Sequence, residues 1–314
     1  MGTRLSIVGA GAVGSTTAYA ALLRGVAGTV ALYDVDAARV QAEVLDLQHG
    51  LQFVPPAQVV GSDDPAVVAG SDLVIVTAGA KQKPGESRLA LAERSVEIMR
   101  TLMPQLVEQA PDAVYLMVSN PVDVITYAAL RFTGLPRHRL FGSGTVLDSS
   151  RLRTLVARHA GVAPQHVHAY IVGEHGDSEI PLWSQATIGG VPLERWHGIS
   201  GVGALDEDIR TQIASDVVNA AYAIIAGKGA TNYAIGLAAV SVASAVLRNE
   251  HRILPVSSLL DGREGLEDVC LSLPCLVDAQ GCSVPLDTEM SAAERRAFQA
   301  SADAVRAVIA RVGL

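Results

Sequence analysis

The stretch GEHGDSE, Gly173 to Glu179, gathers residue types suited to proton transfer. A histidine on an apolar face is usually structural, but His175 stands among polar residues and glycines at the end of an apolar segment. There it can exchange a proton near neutral pH. Glu174, His175 and Asp177 match no familiar metal-ligand spacing, so no metal is expected. An acid–base histidine needs a carboxylate to fix its tautomer and raise its pKa. Asp148 is the right type of residue, although spacing alone does not place it beside His175. A helix is expected from about Val146, and on it Asp148 and Arg151 share a face. Arg153, two residues further on, points roughly 200° away.

A second group of residues suits a dinucleotide. In RLSIVGAGAVG an apolar strand runs into Gly9, Gly11 and Gly14, and an alanine-rich helix follows. This is the strand–turn–helix setting in which G-x-G-x-x-G cradles a pyrophosphate at a helix N-terminus. Gly9, Gly11, Val13 and Gly14 form the candidate cofactor turn. The next strand, TVALYDVD, ends at Asp34, placed to accept hydrogen bonds from ribose hydroxyls and to repel a 2′-phosphate. Val35 follows rather than a basic residue, so NAD is favoured over NADP.

The elements that must hold these residues alternate. DLVIVTAGA (72–80) is a continuous apolar strand of the kind buried in parallel sheets. Residues 87–109 are expected to be helical, AVYLMVSNPVD is a strand entering a loop, 122–132 is helical, and a short strand falls near 139–142. The fold class is therefore α/β, a doubly wound parallel sheet, followed by a mixed α+β half. We divide the chain into an NAD-binding domain, 1–143, and a substrate-binding catalytic domain, 144–314. HVHAYIVG reads as a strand with His166, His168 and Tyr170 on one side. Strands near 252–258 and 267–284 and an amphipathic helix over 291–312 complete the chain. The polar segment GAKQKPGESR (79–88) begins at the carboxyl end of a sheet strand, where ligands bind in such folds.

Composition narrows the function. The chain of 314 residues is 49% hydrophobic and 18% charged, enough for a large core. A net charge of −8 argues against nucleic acid or an anionic membrane as partner. Cys270, Cys275 and Cys282 form no C-x-x-C pair and read as core thiols in a reducing compartment. No signal-like segment follows Met1, so a cytoplasmic location is expected. Gly2 and Ser6 fit the loose myristoylation pattern, but Arg4 to Val8 reads as a strand that must be buried. The apolar stretch 233–247 is too short to span a bilayer and reads as a buried helix.

The motifs IVGAGAVG, TAGAKQKPGESR, VSNPVD, GSGTVLDSSRLR, GEHGDS and KGATNYAIG occur in that order. Together they resemble the NAD-dependent L-lactate and L-malate dehydrogenases over essentially the full chain, most closely the bacterial lactate enzymes. The resemblance implies hydride transfer between NADH and a 2-oxo acid in fermentative glycolysis, with His175 as the proton donor and Asp148 orienting it. It implies that Arg151 holds the substrate carboxylate and that Arg88 polarises the developing alkoxide. Asn120 would hydrogen-bond near the nicotinamide or substrate oxygen, Thr231 would line the C3 end of the substrate, and Ile235 would pack on the nicotinamide.

The same resemblance makes Gln82 the selector, since malate dehydrogenases place Arg there and lactate dehydrogenases Gln. A second substrate carboxylate enclosed against neutral Gln82 would lie unpaired, at roughly 3–5 kcal/mol. Pyruvate and L-lactate are therefore the expected substrates. Lys81 and Lys83 read as solvated; Lys81 stands where Asn is common in the family, and its inward swing would admit a dicarboxylate. Arg153 and His168 match residues that in bacterial relatives bind fructose 1,6-bisphosphate at a subunit interface, which implies an effector and a homotetramer. The rival readings are a malate or broader 2-hydroxy acid dehydrogenase, a catalytically dead NAD-binding relative, and an unrelated Rossmann enzyme acting on a sugar.

Overall fold

The computed structural model describes residues 2–80, 88–199 and 203–314, with the backbone alone for Arg88. Six strands of the first half, β1 (Arg4–Val8), β2 (Thr29–Tyr33), β3 (Gln58–Ser62), β4 (Leu73–Val76), β5 (Val114–Met117) and β6 (Leu140–Gly142), pair in parallel in the order β3-β2-β1-β4-β5-β6. This is the doubly wound order, with the strand sequence reversing at β1 and β4. Helices α1 (Ala12–Arg24), α2 (Ala37–His49), α3 (Arg88–Gln109) and α4 (Val122–Thr133) connect them.

Both faces of the sheet are covered, which is why the central strand β4 is apolar at every position. Leu5, Ile7, Leu73, Ile75, Val114 and Leu116 enter one core, while Val8, Val74, Val76, Tyr115 and Met117 enter the other. The alternation along β1, β4 and β5 is the two-residue period of the pleat.

The second half opens with α5 (Val146–Ala160), followed by short strands β7 (Val167–His168), β8 (Ile171–Val172), β9 (Ile180–Pro181), β10 (Thr187–Ile188) and β11 (Val191–Pro192). Then come α6 (Glu207–Lys228), α7 (Tyr233–Leu247), β12 (Arg252–Asp261), β13 (Glu267–Asp278), β14 (Gly281–Cys282) and α8 (Ala292–Arg311). A third core joins Leu152 and Val156 of α5 to Val167, Ile188, Ile213 and Val217.

One expectation changes. The segment 166–172 is not one strand: His166 closes a 3-10 turn, and β7 and β8 belong to different small sheets. Its burial still alternates, because Val167, Ala169 and Ile171 face a core whichever strand they pair with. The long strands expected in the second half are present and join the first sheet. Strands β12, β13 and β14 extend the parallel sheet antiparallel, with β12 beside β6 through Ser257 and Gly142, giving nine strands. Helix α7 is buried along one flank only, with Tyr233 and Leu237 exposed. All three cysteines are buried and free. Among the described residues no helix is long and apolar enough to cross a membrane.

Candidate active site

The glycine turn lies between β1 and α1. Gly9 adopts φ +100°, and a Cβ there would lie 2.9 Å from the Ala78 nitrogen. A Cβ on Gly14 would lie 1.8 Å from the Gly9 carbonyl oxygen, so only glycine lets helix and turn approach this closely. Around Gly11, by contrast, a Cβ would meet nothing within 4 Å, which leaves the backbone open to a phosphate. Asp34 follows β2; its Oδ2 accepts the Ala10 N–H at 2.6 Å and its Oδ1 the Asp36 N–H at 3.0 Å. Its carboxylate is thereby fixed beside the turn, partly exposed and with lone pairs left for ribose hydroxyls. The residues present fit a dinucleotide.

Val13 and Ile235 are partly buried against the same core, although they come from α1 and α7. Asn232 donates to Thr16 Oγ1 at 2.9 Å, and Gly236 packs against Thr16, so KGATNYAIG is clasped to the cofactor helix.

The second cluster forms where α5 meets the loop after β8. Thr145 Oγ1 donates to the Ile171 carbonyl at 2.6 Å and the Ile171 N–H donates to Ser149 Oγ at 2.8 Å. Gly173 and Ser272 of β13 exchange backbone hydrogen bonds at 3.0 and 2.9 Å. The His175 N–H donates to Asp123 Oδ2 on α4 at 2.8 Å, and the Glu174 N–H to Ser301 Oγ on α8 at 2.8 Å. The loop is therefore held from four sides before any side chain acts.

On this frame the His175 Nδ1 lies 2.6 Å from Asp148 Oδ2, and Arg151 Nη1 donates to Asp148 Oδ1 at 2.7 Å. Both Asp148 oxygens are engaged, so the carboxylate makes Nδ1 the donor and leaves Nε2 for a ligand. Asp148 is in the first turn of α5, where the helix dipole also favours a negative charge. Its side chain is 2% exposed, Arg151 15% and His175 25%, so the pair is hidden and the histidine reaches the cavity. Burial disfavours the imidazolium, but the charge of Asp148 and its hydrogen bond outweigh this and push His175 up to about 9. Burial likewise works against the Asp148 carboxylate, and the His175 and Arg151 cations nevertheless hold it below the ordinary aspartate range.

Asn120, Asp148, Arg151 and His175 line one cavity of about 220 Å³, with Leu91, Val124, Val217, Ala221 and Ile225 supplying apolar wall. The Asn120–Pro121 peptide is cis. Thr231 and Ile235 are not among the residues lining this cavity. Gln82, Lys81 and Lys83 lie outside the described residues, as does the side chain of Arg88. Arg153 turns away from the cluster, as its helical position requires; its Nε donates to the Ala169 carbonyl at 2.9 Å and its guanidinium lies 5.0 Å from the Tyr170 ring centre. His168 is exposed on β7, next to the residue that Arg153 holds.

Two neighbours of the cluster were not singled out in the sequence. Asp123, at the end of the VSNPVD motif, is buried and also accepts the Ser257 hydroxyl at 2.6 Å. Glu179, at the end of GEHGDSE, lines the cavity. An acidic residue beside a histidine-bearing motif was the available signal, but the folding-back that joins them is long-range.

A doubly wound sheet with this turn and acidic strand end, joined to a cavity holding a paired histidine, aspartate and arginine, defines a dinucleotide-dependent oxidoreductase. Residues 3–142 match the lactate/malate dehydrogenase NAD binding domain and residues 145–313 the alpha/beta C-terminal domain of the same group. The chain belongs to the lactate/malate dehydrogenase family, and its cofactor is NAD. It is 51% identical over 311 residues to an L-lactate dehydrogenase of Bifidobacterium animalis subsp. lactis, covering 99% of this chain and 97% of that one. An L-lactate dehydrogenase of a Synechococcus species is 46% identical over 308 residues, covering 97% of each. The crystal structure of the minor L-lactate dehydrogenase from Enterococcus mundtii, in a ligands-bound form, superposes with a TM-score of 0.94 at 38% identity, covering 99% of both chains.

Proposed function

We propose that the protein is an L-lactate dehydrogenase, interconverting pyruvate and L-lactate, with cofactor held by residues 1–143 and substrate chemistry performed by residues 144–314. The observation that carries this reading is the chain Arg151–Asp148–His175 at one cavity wall, at 2.7 and 2.6 Å. NAD, when bound, supplies or takes the hydride at the substrate C2. Arg151 offers a planar fork to the substrate carboxylate, which a lysine could match only as a point charge. His175, charged at neutral pH, gives its Nε2 proton to the carbonyl oxygen during reduction and recovers it during oxidation. Asp148 keeps the ring in that tautomer and stabilises its charged form. The family resemblance assigns Arg88 to the developing alkoxide and Asn120, a residue of the cavity wall, to the reacting oxygen; it assigns Thr231 to the methyl end of the substrate and Ile235 to the nicotinamide, roles that lie outside this cavity wall. Neutral Gln82, the selector by family resemblance, offers no charge to match a second carboxylate.

We further propose that fructose 1,6-bisphosphate activates the enzyme through Arg153 and His168 at an interface of a cytoplasmic homotetramer. Their support is proximity: Arg153 is bonded to the carbonyl of the residue after His168.

The test is NADH oxidation with pyruvate and with oxaloacetate, each with and without the bisphosphate. A strong pyruvate preference is expected, with a lower KM in the presence of the bisphosphate. Equal or better turnover of oxaloacetate would overturn the lactate assignment in favour of a malate enzyme. Activation undiminished in Arg153→Gln would remove the effector site, and light scattering at assay concentration decides the tetramer.

A further inference from the structure

The Asp148–His175 pair shares its pocket with a second carboxylate. Glu179 precedes β9, and one of its oxygens lies within 4.8 Å of an Asp148 oxygen and of a His175 ring nitrogen. The two carboxylates differ in their bonding. Asp148 spends both oxygens on His175 and Arg151. Glu179 Oε1 is buried and has no hydrogen-bond partner among the described residues. A buried carboxylate oxygen without a donor is costly, whereas a protonated carboxyl is much less so.

The charged groups that face Glu179 are Asp148 and Arg151 from α5, and His175 and Asp177 from its own loop. The α6 residues lining the two cavities that Glu179 borders include no cation; Tyr222 among them donates to Asp177 Oδ1 at 2.9 Å. With Glu179 neutral, Asp148, Arg151, His175 and Asp177 carry no net charge between them. With Glu179 ionised the group carries one net negative charge, and an incoming anion meets a like charge across a partly desolvated space.

We propose that Glu179 is a protonation gate in the substrate pocket: its neutral carboxyl admits a monocarboxylate 2-oxo anion, and its ionised form repels it. Substrate binding therefore draws a proton onto Glu179. Burial, and then the charge of Asp148, push Glu179 up to about 8, against the opposing pull of His175 and Arg151, which puts the gate within a usable pH range. Because Glu179 and His175 interact, the protons belong to the pair, and counting them is the proper readout.

This inference rests on the proposed reading that the pocket takes a 2-oxo acid. Its test is equilibrium binding of oxamate, the unreactive amide analogue of pyruvate, to the enzyme–NADH complex from pH 6.5 to 10, followed by NADH fluorescence. In the wild type, log Kd should climb with a slope approaching two at high pH, one proton each from Glu179 and His175. In Glu179→Gln the slope should fall to one, and the loss of affinity from pH 7 to pH 9 should be about tenfold smaller. A limiting slope of one in the wild type, or equal slopes in both proteins, overturns the gate while leaving the lactate dehydrogenase reading intact. Absence of oxamate binding at every pH, with NADH still bound, overturns the substrate reading and the gate with it. Should Glu179→Gln fail to fold, the wild-type slope alone decides.

Discussion

Asp123 of α4 accepts the backbone N–H of His175 at 2.8 Å, so a residue of the cofactor half fixes the main chain of the proposed proton donor in the other half. Asp123 is 2% exposed, and burial pushes it up to about 6 against the hydrogen bonds from Ser257 and His175. In Asp123→Asn the amide oxygen can still accept from His175 while its NH2 donates to the Ser257 hydroxyl, so geometry should survive. Asp123→Ala removes both bonds. We expect kcat to fall by on the order of 10²-fold in Asp123→Ala, from misplacement of the ring, and far less in Asp123→Asn. Steady-state kinetics of the two variants checks this; equal losses would mean that charge, not position, is what Asp123 contributes. The sign of its pH effect is separate. A carboxyl raised above its unfolded value of 3.8 holds an extra proton in the native state, so stability falls as pH rises from about 4 to 6.

Asp148→Asn should cost far more. Arg151 would claim the amide oxygen, leaving the NH2 to face Nδ1 of His175 and forcing the proton onto Nε2 in a neutral ring. A kcat loss on the order of 10²–10⁴-fold is expected in both directions. The histidine's share of the alkaline loss of pyruvate affinity, near 9 in the wild type, should move down toward the ordinary value of 6.5. Linkage gives the stability sign: the histidine's contribution is full below 6.5 and is lost as pH rises through about 9, while that of the Asp148 carboxylate is present above 3.8 and is lost as pH falls below it. Urea unfolding at pH 6 and pH 9.5, wild type against Asp148→Asn, reads it directly.

Arg151→Lys keeps the positive charge and loses the fork. Asp148 would still find a cation, but the substrate carboxylate would exchange two aligned hydrogen bonds for one. A charge-assisted bond of roughly 1.5–3 kcal/mol corresponds to a rise in pyruvate KM of about 10- to 150-fold. Its NADH affinity, measured by fluorescence titration, should stay at the wild-type value.

At the glycine turn, Gly14→Ala would set a methyl group 1.8 Å from the Gly9 carbonyl oxygen, a backbone atom that cannot swing aside. NADH binding should be lost or weakened by at least about 10²-fold through displacement of the turn, and the melting temperature should drop. Gly11→Ala meets no such obstacle within the protein, so any loss of NADH affinity there would report the cofactor's own approach.

Gln82→Arg should bring oxaloacetate into use and depress pyruvate turnover. Matching the second carboxylate restores roughly 3–5 kcal/mol, a shift in the ratio of kcat/KM of about 10²–10³-fold or somewhat more. Paired progress curves with the two oxo acids measure that ratio.

Local chemistry made much of this legible from the residues. The glycines, the apolar period of β1, β4 and β5, and the three-residue spacing of Asp148 and Arg151 each follow from short-range rules. What sequence could not reach was distance in space between segments far apart in the chain. Asp123 lies 52 residues from His175, and Ser301 lies 127 from Glu174. No periodicity reports such contacts, and an aspartate at a helix start reads first as a dipole-compensating residue. The segment 166–172 misled for a related reason: alternating burial is necessary for a strand but does not say which sheet receives it. Glu179 was passed over because one more acid after GEHGDS is ordinary until Asp148 arrives beside it.

The shared sheet has a mechanical meaning. Strand β12 lies against β6 by backbone hydrogen bonding, and β13 holds the catalytic loop at Gly173. A cleft enzyme whose halves meet only through side chains can gape like a jaw; here, swinging the halves apart would break the backbone pairing of Ser257 with Gly142 and the hydrogen bond from the Cys282 N–H to the His138 carbonyl. Cofactor half and chemical half should therefore lose their structure in one cooperative step, and a fragment ending at residue 143 would leave β6 as a raw, unpaired edge that invites aggregation.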